Sequence, residues 1–118
     1  MITFPNAKIN IGLYVTSRRP DGYHNLETLF YPIELRDILE IVPAKSDTTT
    51  LTVTGIAVDG DAEKNLVMRA YRLLQSEYNL PAVEIHLHKV IPFGAGLGGG
   101  SADAAYALVM LRDMFSLP

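Results

Sequence analysis

Five of the nine glycines in this 118-residue chain fall between Gly94 and Gly100. The segment Val83–Lys89 before them alternates apolar and polar residues, as a strand does, and an alanine-rich helical pattern follows from about Ser101. Glycines in such a loop let backbone amides turn inward, and the following helix offers its positive end. The sequence therefore predicts a phosphate site here; the alternative is a flexible loop with a capping glycine.

Three familiar phosphate loops fit this segment poorly. Gly94–Gly99 satisfies the spacing of the dinucleotide fingerprint, but too little chain follows for the second strand and acidic residue which that fold requires. A Walker A loop needs a lysine directly after its glycines, whereas Gly100 is followed by Ser101. A protein-kinase glycine loop joins two strands, and this one leads into a helix. We discard all three.

Composition limits the remaining possibilities. A length of 118 residues suits about one domain, and the 48% hydrophobic content is typical of a folded globular protein. The net charge of −3 disfavours nucleic acid as a partner, and the lack of cysteine excludes disulfides and thiolate metal sites. With no secretory leader pattern and no apolar run of membrane-spanning length, we expect a cytoplasmic protein without membrane attachment.

Periodicity predicts strands over 2–17, 23–31, 37–42, 49–54 and 83–89, and helices over about 65–78 and 101–115. Residues 37–42 and 49–54 are expected to pair with each other across the polar loop 44–48. Asn65 is the predicted cap of the first helix, and residues 79–81 end it because proline cannot continue a helix. This order favours an α+β fold with a mainly antiparallel sheet.

The same periodicity predicts which side chains are buried. The last strand is expected to bury Val83, Ile85 and Leu87. The first helix is expected to bury Leu66, Val67, Ala70, Tyr71, Leu73, Leu74 and Tyr78, and the second helix Ala104, Ala105, Leu108, Leu111 and Phe115.

The glycine segment fits the pattern Pro-x-x-x-Gly-Leu-Gly-x-x-Ser, formed by Pro92, Gly96, Leu97, Gly98 and Ser101. This pattern resembles the ATP-binding motif of the GHMP kinases, which include galacto-, homoserine, mevalonate and phosphomevalonate kinases. The longer string from Gly96 to Ala105 is similar to a narrower branch of that family. Its members phosphorylate a cytidine-diphosphate-linked methylerythritol in non-mevalonate isoprenoid synthesis. Three further stretches, 7–10, 19–30 and 65–70, resemble other motifs of the same branch in the same order.

The resemblance implies a GHMP-kinase N-terminal domain with the fold of ribosomal protein S5 domain 2, spanning residues 1–118. It also implies ATP with Mg²⁺ and a small-molecule acceptor, with no metal held by these side chains. Lys8 would be catalytic, by favouring loss of the acceptor's hydroxyl proton and stabilising the transferred phosphoryl group. The implied acceptor site contains Asn10, Tyr23, His24 and Phe30, with the two aromatic rings sandwiching a cytosine. The implied ATP site contains Asn65, Leu66, Lys89, Pro92, Gly94, Gly96, Leu97, Gly98, Gly99, Gly100 and Ser101.

Several of these residues also have an ordinary structural interpretation. Lys8 and Lys89 could be solvated strand lysines, Phe30 a core aromatic, and Ser101 a helix N-cap. Asp103 is expected to be a first-turn carboxylate that the helix dipole stabilises, and not the catalytic base. His86, His88 and Glu84 would share one strand face. That face could hold a metal, although an amphipathic strand explains all three residues without one.

The family places its catalytic aspartate beyond the glycine loop, in a Gly-x-Asp-x-Pro-like stretch, and completes its cleft with a second domain. Neither is present in the 118 residues. We therefore expect the chain to correspond to the N-terminal part of the enzyme and to be inactive alone. The alternatives are another GHMP kinase of homoserine or mevalonate type, or a nucleotide- or RNA-binding module of the same fold. Tyr23, His24 and Phe30 favour the nucleotide-linked acceptor, and the sequence does not determine the oligomeric state.

Overall fold

The protein is described by a computed structural model covering residues 1–18, 20, 24–56, 62–92 and 97–118, with the backbone alone for residues 10–18 and 24–30. In these ranges the elements are β1 (Ile2–Thr3), β2 (Asn6–Arg18), β3 (His24–Arg36), β4 (Ile38–Pro43), β5 (Thr50–Gly55), α1 (Leu66–Tyr78), β6 (Val83–Lys89) and α2 (Gly99–Met114). A 3₁₀ turn, Ala62–Lys64, precedes α1. Neither described helix is long and apolar enough to cross a bilayer.

The strands form two sheets. One has four strands in the order β1-β4-β6-β5, and the other is the long antiparallel hairpin β2–β3. The prediction that β4 and β5 pair with each other is wrong, because β6 lies between them, antiparallel to β4 and parallel to β5. The reason is that α1 carries the chain from the end of β5 back to the start of β6, as a parallel pair requires. The α+β class with a mainly antiparallel sheet is confirmed.

The central strand β6 has the predicted alternation. Val83, Ile85 and Leu87 are fully buried beneath the helices, together with Leu39 and Ile41 of β4. The opposite face of β6 is polar, and His88 Nδ1 lies 2.9 Å from Thr54 Oγ1 on β5. Within the described ranges, no three His, Asp or Glu side chains come close enough together to hold a metal ion.

Helix α1 begins and ends as predicted. The side chain of Asn65 accepts a hydrogen bond from the Val67 amide at 2.9 Å, and Asn79 ends the helix in the left-handed conformation. The buried stripe is narrower than expected: Val67, Met68, Ala70 and Tyr71 are buried, whereas Leu66, Leu73 and Tyr78 are exposed. Leu73 and Tyr78 instead line an open groove of about 300 Å³ between the two helices.

Helix α2 starts two residues earlier than predicted and is turned slightly from the expected face. Ala107, Met110 and Leu111 are buried, while Ala105, predicted to face inward, is exposed. The physical cause lies at the start of the helix. Its second turn buries the polar residue Asp103, which a purely apolar stripe does not include. This orientation sets the geometry of the glycine segment.

Candidate functional site

The described part of the glycine segment forms the start of α2. Gly98 is the N-cap residue in the left-handed conformation, with φ of 69° and no side-chain cap, and Gly99 is the first helical residue. Ser101 is an exposed residue of the first turn, so the alternative interpretation of Ser101 as the N-cap is wrong. The first amides of a helix, here those of Gly99, Gly100 and Ser101, have no intrahelical acceptors and carry the positive end of the helix dipole. The segment is therefore suited to bind an anion.

Strand β2 brings Lys8 directly to this helix start. The Lys8 amide donates to the Leu97 carbonyl oxygen at 2.8 Å, which attaches the glycine segment to the hairpin. The Lys8 side chain then crosses Gly98: a Cβ placed on this glycine would lie 2.8 Å from Lys8 Cε and 3.3 Å from Nζ. Only glycine accommodates both the positive φ and this close approach. The structure thus places a cation beside the free amides of α2.

The start of α1 lies beside the start of α2. A Cβ on Gly100 would lie 3.3 Å from Leu66 Cδ1. Asn65 caps α1, and Leu66 is 41% exposed, more than its predicted place in the core allows. The predicted adenine-side residues and the predicted phosphate-side residues are therefore neighbours. The starts of both helices meet at the edge of the sheet where β5 and β6 end.

Lys89, at the end of β6, is buried. Its side chain is 1% exposed, so the alternative of a solvated strand lysine is wrong. The Nζ atom donates to Asp37 Oδ2 at 2.6 Å and to Asp103 Oδ2 at 2.9 Å. The second oxygen of Asp37 accepts hydrogen bonds from the Val90 and Ile91 amides, at 2.8 and 2.9 Å. A predicted contact from Lys89 to the nucleotide stays a prediction.

The two carboxyl groups have opposite pKa displacements. Burial raises the pKa of Asp37, but hydrogen bonds from Asp103, from the two backbone amides and from Lys89 outweigh it and hold the pKa below its usual range. Burial raises the pKa of Asp103 to about 7, and the hydrogen bond to Asp37 adds to this effect, while Lys89 offsets part of it. Asp103 Oδ1 is buried and no donor in the described chain faces it. A proton on Asp103 makes the three-residue cluster neutral.

Sequence reasoning missed this cluster. Asp103 is buried in the second turn of α2, so its predicted place in the first turn is wrong. One signal was available, because Asp103 continues the buried stripe of Ala107 and Met110 at helical spacing. Asp37, by contrast, lies 52 residues from Lys89 in the chain, and nothing local marks it as a partner.

The predicted acceptor site is described in part. Tyr23 of this acceptor site lies outside the described residues. Of the predicted ATP site, Gly94 and Gly96 also lie outside them, and Pro92 is exposed after β6. The backbone pairs Asn10 with Phe30 and Lys8 with Pro32 across the hairpin, and Arg18 pairs with His24 further along it. Because alternate residues share one face of a strand, Lys8 and Asn10 belong to the same face. The hairpin therefore carries Lys8, Asn10, His24 and Phe30 on one ladder.

Comparison with known proteins identifies the family. Residues 65–118, which include both helix starts, match the description "GHMP kinases N terminal domain". The chain contains a GHMP kinase N-terminal domain. This GHMP kinase domain is 62% identical over 117 residues to the 4-diphosphocytidyl-2-C-methyl-D-erythritol kinase of Parabacteroides distasonis. The match covers 99% of the chain and 42% of that relative, so the chain spans less than half the length of the curated relatives it matches.

Solved structures agree with this assignment. A crystal structure of 4-(cytidine 5'-diphospho)-2C-methyl-D-erythritol kinase has a TM-score of 0.79 and 41% identity, covering 98% of this chain and 41% of that one. Phosphomevalonate kinase of Streptococcus pneumoniae, in complex with phosphomevalonate and AMPPNP, has a TM-score of 0.66 and 17% identity, covering all of this chain and 38% of that one. At that identity the likeness concerns the fold alone. The predicted GHMP fold is confirmed.

The stability of this domain is expected to fall as the pH rises from about 4 to 7. The pKa of Asp103 is about 7 in the folded chain against an ordinary 3.8, so the folded state holds a proton that the unfolded state has released. Its contribution is complete below about pH 4 and is lost as the pH rises through 7. Because a tenfold change in proton binding corresponds to about 1.4 kcal/mol, the loss is on the order of a few kcal/mol.

Urea unfolding of the 118-residue chain at several pH values measures this dependence. Asp103→Asn is the matched control, because the amide keeps the shape of the side chain and cannot ionise. The variant should show a flatter profile above pH 5. Equal slopes for the two proteins would contradict the raised pKa of Asp103. Asp37 acts in the opposite sense: with its lowered pKa, its contribution is present above about pH 4 and disappears only in more acid solution.

Proposed function

We propose that the protein transfers the γ-phosphoryl group of ATP to the 2-hydroxyl of 4-diphosphocytidyl-2-C-methyl-D-erythritol, in non-mevalonate isoprenoid synthesis. The observation that carries the chemistry is the Lys8 side chain lying across Gly98 at the start of α2. The acceptor follows from the 62% identity to a relative that bears this activity in its name. In the reaction the hydroxyl oxygen bonds to the γ-phosphorus, the bond from phosphorus to ADP breaks, and the hydroxyl proton leaves.

The helix start supplies the phosphate side of the proposed reaction. The amides of Gly98, Gly99 and Gly100 lie at the positive end of α2, where phosphate oxygens are stabilised. Leu97 joins this segment to Lys8, and the exposed Ser101 hydroxyl lies in the same turn. We call Gly98, Gly99 and Gly100 the phosphate cradle. A Cβ on Gly98 or on Gly99 would approach a neighbouring side chain within 3.0 Å, so the cradle offers its backbone and not side chains to the phosphates. We propose the same anion-binding role for Gly94 and Gly96.

Lys8 is proposed to act on the reacting oxygen atoms. An ammonium beside the acceptor hydroxyl favours loss of its proton and stabilises the charge that develops on the transferred phosphoryl group. ATP is expected to bind as its Mg²⁺ complex, because Mg²⁺ in such sites takes most of its ligands from phosphates and water. We propose that the base that accepts this proton lies in the part of the protein that corresponds to the unmatched part of its relatives.

The hairpin supplies the proposed acceptor side. Asn10 and Phe30 are paired across β2 and β3, two residues along from Lys8, and a strand advances about 3.3 Å per residue. Asn10 and Phe30 would therefore lie within one small-molecule length of Lys8. We propose Tyr23 and His24 as the other residues of the cytosine site, although His24 pairs with Arg18 further along the hairpin. On the adenine side we propose Asn65 and Leu66, whose helix start lies next to Gly100. Because ATP is the donor, we propose a cytoplasmic location. The net charge of −3 supports the proposal that no nucleic acid is a partner.

The test is a coupled assay of ADP release by the full-length protein with Mg²⁺, ATP and 4-diphosphocytidyl-2-C-methyl-D-erythritol. We expect ADP release that depends on this acceptor and is at background with homoserine or mevalonate. The 118-residue chain by itself should release none, because positioning and electrostatics supply nearly all of phosphoryl-transfer catalysis. Background release by the full-length protein with the cytidine-linked acceptor would refute the proposal.

A further inference from the structure

The buried cluster of Lys89, Asp37 and Asp103 joins three separate parts of the chain. Asp37 lies between β3 and β4, Lys89 is the last residue of β6, and Asp103 belongs to the second turn of α2. All three side chains are at most 2% exposed. The hydrogen bonds of Lys89, at 2.6 and 2.9 Å, therefore fix α2 to the sheet from inside the protein.

The cluster lies directly behind the phosphate cradle. A Cβ on Gly99, the first residue of α2, would lie 3.3 Å from Lys89 Nζ and 2.7 Å from Ile91 Cγ2. The Ile91 amide is itself held by Asp37. The first turn of α2 thus rests on Lys89 and Ile91 on one side, while the Lys8 side chain passes Gly98. The cradle lies between two lysines, one of which is buried.

Stability alone is a weak reason for such a cluster. Replacing a buried ion pair by well-packed apolar residues is often neutral or stabilising, because desolvating the charges costs about as much as their attraction returns. Directional hydrogen bonds do something that apolar contacts do not: they fix the rotation and height of a helix against its neighbour. A displacement of about 1 Å at a reacting group is enough to cost on the order of 10²-fold in rate.

We propose that Lys89, held between Asp37 and Asp103, is a positioning residue that fixes the first turn of α2, so that its amides meet the ATP phosphates without Lys89 touching the nucleotide. This inference rests on the proposed ATP site. It assigns Lys89 a role behind the cradle in place of direct binding. It also makes Asp103, which accepts a hydrogen bond from Lys89, a determinant of nucleotide affinity.

The deciding variant is Asp103→Leu in the full-length kinase. It removes the tie between β6 and α2 but keeps the Lys89–Asp37 pair. We expect the KM for ATP and the Kd for the non-hydrolysable analogue AMPPNP to rise about tenfold, with the KM for the acceptor within about twofold of wild type. Asp103→Asn keeps an oxygen that accepts from Lys89 and should restore both values to within about threefold. If Lys89 bound the nucleotide directly, Asp103→Leu would leave the AMPPNP affinity unchanged or tighter, which would overturn the proposal.

Two measurements keep this test decisive. If Asp103→Leu fails to fold by thermal melting, Asp103→Ala, which also removes the tie to α2 and keeps Lys89, is judged by the same affinities. Calorimetry with AMPPNP needs no acceptor. A wild-type protein that binds AMPPNP but phosphorylates nothing would therefore contradict the proposed acceptor, while the variants still decide the role of Lys89.

Discussion

Under the proposed function, replacing Lys8 with methionine in the full-length protein is expected to lower kcat by about 10²- to 10³-fold, the effect of removing one preorganised charge-stabilising donor. Methionine keeps most of the length of the side chain across Gly98 and removes only the ammonium. The Lys8 amide would still donate to Leu97, so the attachment of the glycine segment is retained. The KM for ATP should change far less than kcat, because the lost interaction strengthens in the transition state.

Lys45→Met is the matched control for this prediction. Lys45 is exposed in the loop after β4, at the end of the sheet where β6 begins, whereas the glycine segment follows the other end of β6. The same change of charge at that position should leave kcat and both KM values at wild-type levels. A Lys8→Met enzyme that kept more than half of the wild-type kcat would remove Lys8 from the proposed mechanism.

Replacing Asp37 with alanine is expected to lower the free energy of unfolding of the 118-residue chain by about 3–5 kcal/mol, the usual cost of removing one partner from a buried ion pair. Truncation leaves the Lys89 ammonium with Asp103 alone, and Asp103 carries a raised pKa. It also leaves the Val90 and Ile91 amides without the acceptor that holds the end of β6. Since small domains are stable by only about 5–15 kcal/mol, this loss is a large fraction of the total stability.

Urea unfolding monitored by circular dichroism measures the effect of Asp37→Ala. Asp37→Asn keeps an oxygen for the two amides and should lose clearly less stability than the alanine variant. Asp47→Ala, in the exposed loop before β5, is the control for loss of an aspartate and should stay within about 0.5 kcal/mol of wild type. A loss below about 1 kcal/mol for Asp37→Ala would mean that the cluster is far weaker than its geometry indicates.

Local signals predicted much of this fold, and long-range pairing did not follow from them. The cap at Asn65, the stop at Asn79 and the alternation of β6 are each set by residues within a few positions of one another. The strand order is not set by such local signals. The neighbours of β4 and β5 depend on where α1 returns the chain to the sheet. Sequence proximity favoured the wrong pair.

The candidate site was likewise predicted in part, through its local features and not through its long-range contacts. The glycine spacing and the family resemblance predicted an anion site with Lys8 beside it, and the Lys8–Gly98 approach agrees with that arrangement. The burial of Lys89 could not be predicted, because a lysine at the end of an amphipathic strand is ordinarily solvated. Its partners lie 52 and 14 residues away. Burial of a charge depends on the full set of groups that surround it, which no local pattern contains.

The position of β6 also governs when the sheet can form during synthesis. Strands β4 and β5 are made first, yet each takes its place in the four-stranded sheet by pairing with β6, which begins only at Val83. Until that strand leaves the ribosome, β5 exposes backbone donors and acceptors along its whole length, a recognised hazard for association with other chains. Three of the four strands of the main sheet are thus translated before β6, the strand that organises it, and native assembly of that sheet is necessarily late.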